Sequence, residues 1–142
     1  HQWMMRIKEF KNVKVVDDYI WYSYSQMSIP WPFNNQDMIT KNSLKIGADG
    51  TVKVVLEGAP EMVPVIDGVR RIEHFEGGWT LRPISGKRVK ITYSMFNNSK
   101  PVAPSFITDP LVIKGFWSTL NDMRDLLLAG KDKKVNLPYL KP

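Results

Sequence analysis

Side chains able to do chemistry are few in this sequence, and they are dispersed. The two histidines, His1 and His74, are far apart, and no carboxylate falls at a spacing that completes a histidine metal site. There is no cysteine, which excludes disulfides and thiolate ligands. A GxSxG elbow, a P-loop and a GxGxxG turn are all lacking, and Gly77-Gly78 reads as a bulge or turn rather than a phosphate cradle. With no histidine close to a serine in sequence, a nucleophilic triad has no evident members. Asp37, Glu57, Glu73 and Glu76 serve as acid or base only if paired in a cavity; exposed or salt-bridged carboxylates are the simpler reading. Asn97-Asn98-Ser99 matches the glycosylation pattern, which arises by chance too often to carry weight. The sequence predicts no metal and no cofactor.

Bulky aromatic residues stand out instead: Trp21, Tyr22, Tyr24, Trp79, Tyr93, Phe116 and Trp117. They fit either a plain core or a sheet curved around a helix with space between them for an apolar ligand. The helix that must position half of this set runs over about residues 103–128. Its apolar residues are Phe106, Ile107, Ile113, Phe116, Trp117, Leu120, Met123 and Leu127, at steps of three and four that make one stripe. Asp109-Pro110 is an N-cap and first-position signal, so the helix begins either at Pro110 or near Pro104 with a bend at Pro110. Gly130 and Lys131 mark its end.

Everything before that helix reads as strands and turns. Strands are predicted over residues 6–16, 19–28, 36–46, 52–57 and 88–96. Residues 69–75 and 79–81 read as one long strand, bent or bulged at Gly77-Gly78. Asp17-Asp18, Ala48-Asp49-Gly50 and Ser85-Gly86-Lys87 are turn signals, and Pro30, Pro32 and Asn34-Asn35 break regular structure. Successive strands joined by short turns imply an antiparallel meander covered on one face by the helix, an α+β domain over residues 1–142.

At 142 residues and 43% hydrophobic composition the chain is long enough for one domain with a core. It contains no run of about eighteen apolar residues, so no membrane-spanning helix is expected. Cytoplasm and periplasm both remain open as compartments. The formal net charge of +6 comes from scattered residues such as Arg6, Lys8, Lys11, Lys14, Arg70, Arg71, Arg82, Lys131, Lys133 and Lys134. Without a basic stripe or interleaved aromatics, nucleic acid is not an expected partner, and transient membrane-surface contact ranks ahead of it.

Several motifs then combine. IPWPFNNQDMI (29–39), VVLEGAPEMVP (54–64), GVRRIEHFEGGWTLRPI (68–84), KITYSM (90–95) and PSF…GFWSTLNDMRDLL (104–127) together resemble the START family of lipid-transfer domains, in the style of its bacterial stand-alone members. The resemblance runs from Trp3 nearly to the end. Gln36 stands where the family has the arginine of an Arg-Asp pair, with Asp37 retained. Asn98-Ser99-Lys100 stands where a Gly-Gly usually precedes the last helix. The family's first helix and first two strands have no counterpart, so the chain is expected to be about the C-terminal two-thirds of the family fold.

The resemblance implies a helix-grip fold, a curved antiparallel sheet wrapped around the long C-terminal helix. It also implies non-catalytic binding or transfer of a lipid or other apolar molecule. The residues expected to line that cavity are Tyr22, Tyr24, Met38, Leu81, Ile91, Tyr93 and Met95 on one sheet face, with Phe116 and Leu120 on the helix. Arg71, at the family's Val-Arg position, is expected as a buried charge paired with Asp37 or Glu57. The alternative is a cyclase- or aromatase-like enzyme of the wider helix-grip superfamily, for which Asp37, Arg71 and Tyr93 are the only plausible acid–base set. Without the family's first two strands, the edges near residues 6–16 and 88–96 are expected to be open, so that the chain pairs with a second copy through an edge strand, exchanges elements with it, or was cut from a parent whose missing piece stayed bound.

Overall fold

The computed structural model describes residues 7–85, 88–98 and 104–130. Gly86, Lys87, Ser99, Lys100, Arg6, Trp3 and the basic residues from Lys131 onward lie outside the described residues, as does the side chain of Ile107.

Seven strands and one long helix follow one another: β1 (Ile7–Val15), β2 (Ile20–Met27), β3 (Asn35–Ile46), β4 (Val52–Gly58), β5 (Val69–Arg71), β6 (Phe75–Ile84), β7 (Arg88–Asn97) and α1 (Ser105–Leu128). The sheet order is β1-β2-β3-β4-β6-β7, an antiparallel meander, curved, with the single helix after its last strand. Tight turns hold the hairpins. Asp17 Oδ1 accepts hydrogen bonds from the Tyr19 and Ile20 amides at 2.7 Å, and Asp49 takes the Thr51 amide at 3.0 Å and its hydroxyl at 2.8 Å. Gly50 sits in that second turn at φ 75°, a conformation open to glycine at little cost.

Two expectations are corrected. The stretch 69–81 is not one strand bent at its glycines. It breaks at residues 72–74, and β5 crosses back to pair in parallel with the start of β3, Asp37 opposite Arg71. Gly77 and Gly78 pair without interruption inside β6. They are needed for close approach: a Cβ on Gly77 would lie 2.7 Å from the Ser94 carbonyl oxygen, and one on Gly78 2.7 Å from that of Val54.

The second correction concerns the helix. Its start at Ser105 with Pro110 inside it is one of the two that were expected; what differs is the covered stripe, whose half-buried apolar side chains are Phe116, Leu120, Met123 and Leu126. Ile113, Trp117 and Leu127 are 57%, 66% and 50% exposed, so the covered stripe is narrower than the spacing suggests.

The best-buried apolar residues do not lie under the helix. Tyr24, Ile39 and Ala59 form a closed cluster joined by Val13, Tyr22, Met62 and Val63, on the sheet face that the 59–71 segment crosses. Arg71 fastens that segment. Its Nε donates to Asp37 Oδ1 at 2.7 Å and its Nη2 to Asp37 Oδ2 at 2.9 Å, a two-pronged pair whose side chains are 6% and 1% exposed. The remaining guanidinium protons go to the carbonyls of Pro60 (2.7 Å), Val63 (2.8 Å) and Pro64 (3.1 Å). Every donor of the fork is therefore spent. Of the two partners proposed from sequence, Asp37 is the one found.

Removing one member of such a pair leaves a buried charge uncompensated. Arg71→Ala is expected to lower unfolding free energy by roughly 3–5 kcal/mol in urea denaturation. On the helix, Leu120→Ala should cost about 1–2 kcal/mol and Trp117→Ala less than about 0.5 kcal/mol; the reverse order would place the covered stripe elsewhere.

Candidate functional site

Strand pairing decides which side chains share a face. Residues directly opposite in adjacent strands project to the same side. Met38 stands opposite Ser25, Asn42 opposite Leu56, Val54 opposite Trp79, and Trp79 opposite Tyr93. The helix meets this face, with the Phe116 ring 5.6 Å from that of Tyr93. Tyr93 in turn stacks on Trp79 at 4.2 Å.

This is the concave face. Along β4, β6 and β7 it presents Val52, Val54, Leu56, Trp79, Leu81, Ile91 and Tyr93, all half-buried, with Met95 at 45% exposure near one end. Leu120 and Met123 of α1 continue the wall. In β2, β3, β4, β6 and β7 every paired position on this face is uncharged. Their charged residues (Asp37, Lys41, Lys45, Lys53, Glu57, Glu76, Arg82, Arg88 and Lys90) alternate onto the other side. Arg70 of β5, beside Gln36 at the sheet's end, is the exception. Such segregation follows from desolvation: a charge facing an apolar wall needs a partner there, and none is provided.

Seven of the ten expected site residues are on this concave surface or the helix above it: Met38, Leu81, Ile91, Tyr93, Met95, Phe116 and Leu120. The other three are not. Tyr24 pairs opposite Ile39, and Tyr22 opposite Lys41, which places both on the convex face with Arg71 and Asp37. The error is one of register between strands. A row of Tyr22 and Tyr24 looks equivalent to the row of Met38 until the pairing is known. Asp37, Arg71 and Tyr93 accordingly do not converge, since the first two are locked to each other across the sheet from the third.

Sequence reasoning missed a polar group on the concave side. Ser23, Thr40 and Asn42 are 6%, 3% and 3% exposed and close a hydrogen-bonded ring. Thr40 Oγ1 donates to Asn42 Oδ1 at 3.3 Å, Asn42 Nδ2 donates to Ser23 Oγ at 2.9 Å, and Ser23 Oγ lies 3.0 Å from Thr40 Oγ1. Asn42 Nδ2 also reaches the carbonyls of Trp21 and Thr40, at 3.2 and 3.1 Å. With Thr40's single proton committed to Asn42, Ser23 must donate to Thr40, so the ring keeps only acceptor lone pairs free. The signal was present as polar residues at alternate positions in a row otherwise filled by Met38 and Leu44.

At one end of the sheet, where β4 stops and β6 starts, lies an open groove of about 760 Å³ with Leu56, Phe75, Gly77 and Met95 in its wall. Glu57, Glu73, His74 and Glu76 also border it, yet no group of His, Asp and Glu with metal-binding geometry occurs among the described residues. Nor is any helix among them long and apolar enough to cross a membrane.

A curved antiparallel sheet with one long C-terminal helix on its face defines a helix-grip domain. A solved structure of a STAR-related lipid transfer protein from Xanthomonas axonopodis superposes with a TM-score of 0.78 at 30% identity, over 89% of this chain and 70% of that one. The chain belongs to the STAR-related lipid-transfer (START) family. Human StAR-related lipid transfer protein 5 shares the fold, with a TM-score of 0.74 at 14% identity over 92% of this chain and 64% of its own. An uncharacterised Pseudomonas aeruginosa protein is 27% identical over 123 residues, 87% of this chain, which spans 60% of that curated relative's length. No family model matches the chain.

Two phenols report on the two faces. Burial pushes the Tyr93 pKa up. Burial, followed by the nearby Asp37 carboxylate, does the same for Tyr24. Unfolded tyrosine ionises near pH 10, so the stability these neutral phenols contribute is complete below that value and is lost as pH rises through their folded pKa values. An ultraviolet phenolate titration should show two tyrosines lagging the rest, and Tyr93→Phe should remove one of them.

Proposed function

We propose that this chain is a single START-like domain that binds or carries an uncharged, lipid-like molecule between the concave face of its sheet and α1, without chemical change to the ligand. The observation that supports this most is the segregation of charge. A long apolar wall from Val54 to Tyr93 is only half-covered by the helix, and across β2, β3, β4, β6 and β7 its paired positions carry no ionic group. Met38, Leu81, Ile91, Tyr93, Met95, Phe116 and Leu120 are the residues we assign to the ligand. Flexible Met38 and Met95 suit a wall that must follow a variable chain.

The Ser23–Thr40–Asn42 ring refines the ligand class. Having only lone pairs to offer, it suits a polar end that donates a hydrogen bond, such as a hydroxyl, better than a carboxylate or phosphate, which needs donors or cations. The relatives named as lipid transfer proteins agree in class. A cyclase-like reaction draws no support from the geometry, because its candidate acid–base set is split between the two faces.

Outside the cavity, β1 and β7 each have a strand neighbour on one side only among the described residues. β7 is ten residues long, largely exposed and pairs without a register shift, whereas β1 carries two. An edge-paired homodimer through β7 is the assembly this favours, and light scattering on the purified chain decides it.

The ligand reading is tested by organic extraction of purified protein followed by mass spectrometry, expected to release an unmodified neutral lipid. Tyr93→Trp should alter uptake of a fluorescent sterol, while Thr92→Lys on the opposite face should leave it unchanged. Equal effects at both positions, or release of a chemically converted product, would overturn the assignment.

A further inference from the structure

On the convex side of the sheet, strand pairing sets like charges directly opposite one another at three places: Lys45 against Lys53, Arg82 against Lys90, and Glu57 against Glu76. All six side chains are exposed, and among the described residues none of them enters an ion pair. Opposed like charges weaken a sheet, and changing the sign of one member of each pair would remove the penalty. The signs are also sorted along the strands. The four cations lie toward the end where the 46–52 and 84–88 connections turn, and the two glutamates toward the other end. Asp49, in the first of those turns, is near Arg82, yet both of its oxygens are taken by Thr51. Lys41 stands opposite Glu57 at the acidic end without closing an ion pair among the described residues. Between the two ends runs a neutral row of small side chains, Ser43, Val55, Gly78 and Ser94.

We propose that this face docks a second copy of the chain, packed across a two-fold axis that follows the neutral row. Such an axis reverses the partner's strand direction, so each basic end lies over the other copy's acidic end. On β4, Lys53 and Glu57 stand two residues to either side of Val55, which puts Glu57 over the partner's Lys53 and the reverse. On β6, Glu76 falls two residues short of the partner's Arg82, a gap of roughly 7 Å that the two long side chains span. A long polyanion, nucleic acid included, suits the face less well, because its track from the cations runs onto Glu57 and Glu76. Curvature limits a convex face to contact through its middle strands, toward the low end of interface sizes. Charge complementarity rather than apolar area must therefore hold the two copies together, which makes the contact weak and sensitive to salt. It differs from edge pairing through β7, which joins backbone groups and is indifferent to these side chains. The docking face stands on strand register and charge, independently of what the cavity holds.

Analytical ultracentrifugation of the whole chain at about 0.02 M and about 0.5 M salt tests it. A dimer is expected at the lower salt and a monomer at the higher. Lys53→Glu and Glu57→Lys should each weaken the dimer about tenfold or more, since a single change brings like charges together twice in a two-fold contact. An equimolar mixture of the two variants should restore dimers, as should the chain carrying both changes. Lys53→Glu also relieves the opposition to Lys45 within one copy. Its thermal unfolding at the higher salt should therefore come no earlier than the parent's, which separates lost pairing from lost folding. Three results overturn the proposal. The first is a parent that stays monomeric at low salt up to about 0.5 mM chain, whether or not it binds a DNA duplex. The second is a dimer that neither salt nor the single changes disturb, as edge pairing predicts. The third is a dimer weakened by each change but not restored in the mixture.

Discussion

The arrangement of this protein depends on the buried pair of Asp37 and Arg71. A carboxylate that is 1% exposed in the middle of a sheet is costly unless a cation meets it in good geometry, and the guanidinium supplies two parallel hydrogen bonds. Having done so, it still holds three protons. These take the carbonyls of residues 60, 63 and 64, backbone acceptors in a segment without strand partners of its own. One side chain thereby satisfies the ion, fixes the course of the 59–71 crossing and aligns β5 with β3. The closed Tyr24–Ile39–Ala59 cluster forms under that crossing.

Because the convex side is sealed this way, the concave side is free to be different. It has few fully buried apolar residues, a helix seated through a small number of aromatic contacts, and a wall left half-covered. A protein whose most closed packing lies outside its sheet can keep the inside loosely filled without losing its fold. That separation of duties would suit the proposed carrier: the tight packing lies on one face, and the paired positions of the other are spared charges in β2, β3, β4, β6 and β7. The ring of Ser23, Thr40 and Asn42 extends the same logic, since its donors are committed to one another and to backbone carbonyls.

Much of this was legible in the residues. Alternation located five of the seven strands to within a few positions and merged the other two, and three- and four-residue steps located the helix. The motif around Asp37, Arg71 and Trp79 pointed to the helix-grip fold. The resemblance placed a buried charge at Arg71 with Asp37 or Glu57 as its partner, and the structure selects Asp37. These inferences succeed because backbone periodicity and the cost of burying charge are local properties, readable one residue at a time.

The sidedness of the site was decided only by tertiary structure. Tyr22 and Tyr24 have the same alternation as Met38, and nothing within either strand says which row faces the helix. That is set by the register of β2 against β3, where a shift of one residue exchanges the faces. The break between β5 and β6 has the same origin, since the attraction of Arg71 for Asp37, 34 positions away in sequence, outweighs the local tendency of residues 69–81 to continue as one strand. So too with the helix, where Ile113 and Trp117 belong to the apolar stripe by spacing yet stay in water because α1 is seated through Phe116 and Leu120. Composition and period specify which elements form; long-range pairing specifies which of their faces meet.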